Sequence, residues 1–120
     1  MEENLIKRIL PHSIEAEQSV IGSMLLEKEA IVVATEMLHA DDFYQHQYGI
    51  MFETITELYN AGKPTDLVTL QDALKMKDAP PEISGIDFLR DLLNVVPTSA
   101  NIRYYAEIVA EKALLRRMIK

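Results

Sequence analysis

The chain has no cysteine, no tryptophan and only four glycines, and it contains no long apolar run. Without cysteine there is no disulfide framework and no thiolate metal site, a composition that suits a reducing cytoplasm. No stretch reaches the roughly 18 apolar residues that a membrane-spanning helix needs. The opening "MEENLIKRILPHS" is too short and too charged for the apolar core of a signal peptide. The glycines, Gly22, Gly49, Gly62 and Gly85, are scattered. None begins the G-x-x-x-x-G-K-S/T pattern that cradles a nucleotide's phosphates. The chain is therefore expected to bind no ATP through such a loop, and to need no cofactor.

Positive charge is scarce over most of the length. Residues 1–96 hold 7 Lys/Arg against 17 Asp/Glu, a net of −10. Residues 97–120 reverse this, with 5 Lys/Arg against 2 Asp/Glu, a net of +3. An acidic body repels nucleic-acid phosphates. Only the basic end supports the alternative reading, a helical DNA-binding module.

What is present is helical periodicity. The 120 residues are 48% hydrophobic and 26% charged, enough to bury a core in one domain. "PHSIEAEQSVIGSMLLE" offers Ser13 as N-cap, and Glu15 and Glu17 complement the dipole of the first turns. Ile14, Val20, Ile21, Met24 and Leu25 supply its apolar face. Gly22 in mid-helix suggests close approach of a neighbour. "EKEAIVVATEML" reads as a second helix, although "IVVAT" alone is ambiguous. In "ADDFYQHQYGIMFETITELYNAG", Tyr48, Met51, Phe52, Ile55, Leu58 and Tyr59 recur at buried-face spacing. Gly62 and Pro64 stop that helix. "TDLVTLQDALKM" follows, capped by Thr65 or Asp66. "KDAPPEISG" is assigned to a loop, because two prolines disfavour helix. "IDFLRDLLNVV" closes at Pro97, and Thr98 or Ser99 caps the last helix. The expected architecture is all-α, about five short helices forming a globule plus one long C-terminal helix.

That last helix, within "NIRYYAEIVAEKALLRRMIK", carries two apolar stripes at about 100° per residue. One is Ile102, Tyr105, Ala106, Val109 and Ala113. The other is Tyr104, Ile108, Leu115 and Ile119, bordered by Glu107 and Glu111. A helix on its own domain needs one apolar face, so the second stripe is expected to meet a further helix, another subunit or a partner. Of candidate chemistry, Asp41, Asp42 and His46 form the best metal-like cluster, but acidic residues at a helix start more often cap it. No metal or catalytic residue is assigned.

Four phrases are more specific than their physics: "PHSIEAEQSVIGSMLL", "DDFYQHQYGIMFETI", "GKPTDLVTLQDAL" and "VPTSANIRYYAEIVAEKALLRRMI". In this order and at these spacings they closely resemble the N-terminal domain of the DnaB-type replicative DNA helicases of bacteria and their phages. The resemblance covers residues 10–120. It implies an N-terminal arm over 1–12, a helical globule over 13–97, and the first helix of a hairpin over 98–120, the chain ending before the second arm. It also implies a following RecA-like ATPase domain, with ATP and Mg, absent from this chain. Such helicases form hexameric rings on single-stranded DNA, and their N-terminal domains build a trimer-of-dimers collar. The collar receives the C-terminal domain of primase and, in some systems, a helicase loader. The positions matching partner contacts are Phe88 and Ile119. Tyr104, Ile108, Leu115 and Ile119 would face the missing arm or a neighbouring subunit, with Arg116, Arg117 and Lys120 near the hairpin tip. The family's usual Gly-Gly-x-x-Tyr-Leu is "SGIDFL" here, with Ser84 and Phe88, and the two prolines before it are also unusual.

Overall fold

Ser13 begins the first helix: its Oγ accepts the Ala16 amide at 3.2 Å. That satisfies one of the amides that a helix start leaves without a partner. A computed structural model of the chain describes residues 10–95 and 101–119. Among these residues the elements, in order, are α1 (Ile14–Leu26), α2 (Lys28–Met37), a 3-10 turn (Ala40–Asp42), α3 (His46–Asn60), α4 (Leu67–Met76), α5 (Pro81–Ser84), α6 (Ile86–Val95) and α7 (Ile102–Met118). They include no strand, and "IVVAT" lies within α2. No helix among them is long and apolar enough to cross a membrane.

The all-α expectation holds, with one helix more than the spacing predicts. The extra element is α5, inside the segment assigned to a loop. Pro81 occupies its first position, where a missing N–H costs nothing and a fixed φ is already helical. The Ile83 amide then reaches the Pro80 carbonyl at 3.0 Å, and burial of Ile83 and Ser84 holds the turn in place. Two prolines therefore start a helical turn here rather than forbidding one.

The core forms around α1, which packs against α2, α3, α6 and α7. Val20, Ile21 and Met24 are fully buried, while Ile14 and Leu25 pack at the margin. Gly22 is buried as well. From α3, Tyr48, Met51, Phe52, Ile55 and Leu58 turn inward as their spacing predicts. Tyr59 does not: it is 37% exposed, because one residue past Leu58 the helix has rotated about 100° toward solvent. Gly62 ends the run at φ +74, the left-handed conformation that glycine adopts without a Cβ clash. Asp66, not Thr65, caps α4, accepting the Thr69 amide at 2.8 Å. That bond holds the Asp66 carboxyl below its ordinary pKa. Pro97, Thr98 and Ser99 lie outside the described residues.

Candidate partner-docking surface

Of the residues singled out for partner contact, Tyr104, Ile108, Leu115, Arg116 and Ile119 lie on α7 or directly after it. The helix starts at Ile102 with no side-chain cap from Asn101. Ile102, Ala106, Val109 and Ala113 are buried against α1 and α2, and Tyr105 is half-buried. On the opposite side Tyr104 is 64% exposed, Leu115 39% and Ile119 47%. Ile108 is half-buried and, with Tyr104, borders a hollow of about 150 Å³ against Ser13, Ala16 and Ser19 of the α1 start. The two stripes read from the sequence thus differ in fate: the first is buried, and the second is exposed at Tyr104, Leu115 and Ile119 while its Ile108 packs at the margin of the core.

Two exposed apolar residues extend the outer stripe beyond its sequence reading: Leu114 at 56% and Met118 at 70%. Met118 lies three residues after Leu115 and fourteen after Tyr104, so helical spacing alone would have found it. These exposed apolar side chains follow one side of α7 rather than being scattered over the surface.

Phe88 lies elsewhere. It is half-buried on α6, its ring stacked on Tyr48 at 6.4 Å between centroids. The Tyr48 hydroxyl accepts from Gln18 Nε2 at 2.9 Å. The inner face of α6 is Leu89 and Leu92, both fully buried, with Ile86 and Leu93 at its edges. α6 packs on α1, α4 and α5, whereas α7 packs on α1, α2 and the 3-10 turn. α1 is therefore the element that Phe88 and the α7 stripe share.

Arg116 is half-buried. Its guanidinium donates to the Pro11 carbonyl at 2.9 Å and to the Asp42 carbonyl at 2.6 Å. Arg117 pairs with the Asp42 carboxylate, whose other oxygen accepts the His39 amide at 2.8 Å. Asp42 thus caps the 3-10 turn and pairs with a cation. Among the described residues no group of three or more His, Cys, Asp or Glu is placed to hold a metal ion.

Glu17 has a role that its place in the first turns of α1 did not suggest. It is 1% exposed, and its carboxylate accepts the Tyr44 amide at 2.7 Å and the Gln45 amide at 3.1 Å. It thereby pins the segment that leads into α3. Burial raises its pKa; the two amides, Arg116 and His12 act in the opposite direction. The signal was legible, since Glu17 falls in register with Ile14, Ile21 and Met24, in the middle of the apolar face.

Comparison with known proteins places this geometry. The family model described as "DnaB-like helicase N terminal domain" matches residues 9–111. Over its whole length the chain is 43% identical to the replicative DNA helicase DnaC of Bacillus subtilis (strain 168) and spans 26% of that protein. It is 42% identical to the replicative DNA helicase DnaB of Geobacillus stearothermophilus, again spanning 26% of it. The crystal structure of the N-terminal domain of DnaB helicase from Mycobacterium tuberculosis superposes with a TM-score of 0.89 at 44% identity. That match covers 92% of this chain and 80% of the other.

Proposed function

The chain belongs to the DnaB-like helicase N-terminal domain family, and from that premise we propose that it is the non-catalytic assembly and docking domain of a hexameric replicative DNA helicase. In this role it works in the bacterial cytoplasm. It helps build the collar above an ATPase ring that carries ATP, Mg and single-stranded DNA. It docks the C-terminal domain of primase and, where one is used, a helicase loader. The observation that supports this most is the outer stripe of α7: Tyr104, Leu115, Met118 and Ile119 are exposed on the side opposite the buried face. A second helix or a neighbouring subunit laid along that stripe would bury it. Phe88 adds an aromatic edge on a separate helix, within reach of a partner that touches both α6 and α1.

Calorimetric titration with the C-terminal domain of the cognate primase tests the docking role. Binding with a dissociation constant of about a micromolar or tighter is expected, the range of a specific interface with a buried aromatic or aliphatic anchor. Phe88→Ala and Ile119→Ala should each weaken it. A chain with intact far-ultraviolet dichroism that gives no heat at any primase concentration would remove the docking role from residues 1–120.

A further inference from the structure

The apolar attachment of α7 ends before the helix does. Its last buried residue is Ala113, whereas Leu114, Leu115, Met118 and Ile119 are exposed. Past Ala113 the helix meets the globule through guanidinium groups. Arg116 bridges two backbone carbonyls from two segments, Pro11 before α1 and Asp42 in the 3-10 turn. Arg117 pairs with the carboxylate of that same Asp42. The Arg116 guanidinium also lies 5.6 Å from the centroid of the Tyr44 ring, and His12 stacks on that ring at 3.9 Å. Glu17 holds the Tyr44 backbone and attracts Arg116 electrostatically. Residues distant in sequence, at 11–17, 42–44 and 116–117, therefore meet around one side chain.

We infer that Arg116 is an electrostatic latch that fixes the direction of the α7 end, and that its release lets that end lift while the globule stays folded. Two physical properties support this. Hydrogen bonds are directional, whereas apolar burial is not, so the polar contacts set the angle that the buried stripe leaves loose. Release also removes no apolar core contact, because the core residues of α7 all precede the latch. Arginine suits the task because its planar fork can serve two carbonyls at once, which a lysine ammonium on its flexible stem does poorly. The exposed side chains Leu114, Leu115, Met118 and Ile119 sit on the same turns as Arg116. The latch thus also sets where that surface points. Only this last consequence rests on the docking role proposed above.

The test measures the helix end directly. With no native cysteine, Tyr59→Cys and Met118→Cys, both at exposed positions, accept a single pair of spin labels. Pulsed electron-spin resonance should give one narrow distance distribution in the labelled parent. Adding Arg116→Ala or Arg116→Lys should broaden and shift it, while amide exchange across α1 and α3 stays unchanged. An unaltered distribution in Arg116→Ala overturns the latch. So does loss of amide protection throughout α1 and α3, since Arg116 would then support the fold itself. Recovery of the parent distribution by lysine would show that charge alone suffices, and would overturn the role of the two-carbonyl bridge. Primase plays no part in these measurements, so a failed latch and a failed docking role are told apart.

Discussion

Gly49 and Glu17 show how single atoms constrain this chain. A Cβ at Gly49 would lie 2.7 Å from the Ala40 carbonyl oxygen, a backbone atom that cannot step aside as a side chain could. Gly49→Ala is expected to destabilise the fold by about 1–3 kcal/mol, the usual cost of overpacking, measured by urea unfolding. Gly49 lies at the start of α3, where this close backbone approach leaves no room for a side chain. Glu17 supplies a pH dependence. Its pKa is raised from 4.5 in the folded state, so the native chain holds that proton more tightly than the unfolded one. Its contribution is fully present below pH 4.5 and declines as pH rises through the raised value. Relative to Glu17→Gln, the parent should therefore lose stability from acid to neutral pH. Parallel urea melts of the two proteins measure this, and a difference that does not vary with pH would refute it.

At the scale of the element, α7 is the instructive case. Its sequence declared two apolar stripes, and the fold buries one, which leaves the other exposed at Tyr104, Leu115 and Ile119. Ile119→Asp should change stability by less than about 0.5 kcal/mol, as surface substitutions usually do, while it weakens whatever assembles on α7. Loss of cooperative thermal unfolding in that variant would place Ile119 in the core instead. α5 teaches the converse lesson. Its four residues carry no periodicity to read, and its prolines point to a loop. Only the burial of Ile83 and Ser84 and the bond from Gln71 Nε2 to the Ser84 carbonyl, 3.0 Å, make a helical turn worthwhile there.

At the scale of the whole molecule, charge discriminates between functions. The chain carries −7 overall. The basic end that could favour DNA turns Arg116 toward Pro11 and Asp42, and Arg117 toward Asp42. Binding to single-stranded DNA by fluorescence anisotropy is expected to be absent at physiological salt. Retention that falls steeply as salt rises would instead revive the nucleic-acid reading, because phosphate contacts release counterions. The purified chain is also expected to show no ATP turnover in a coupled assay, since its scattered glycines make no phosphate cradle. Measurable hydrolysis would contradict the non-catalytic role.

The sequence by itself determined six of the seven α-helices among the described residues, the Ser13 cap of α1, the Gly62 stop of α3 and the inner faces of α1, α3 and α7, because helical periodicity, N-caps and stop glycines act over a few residues. It also placed Tyr104, Ile108, Leu115 and Ile119 on a second face, since a face is a local property of one helix. Only the tertiary structure decided what meets that helix from afar. The burial of Glu17 beneath the Tyr44 and Gln45 amides, and the hold of Arg116 on Pro11 and Asp42, join residues 27 to 105 positions apart. Nothing in local spacing encodes such contacts; they arise when packing α7 on α1 and α2 brings its last turns beside the 3-10 turn.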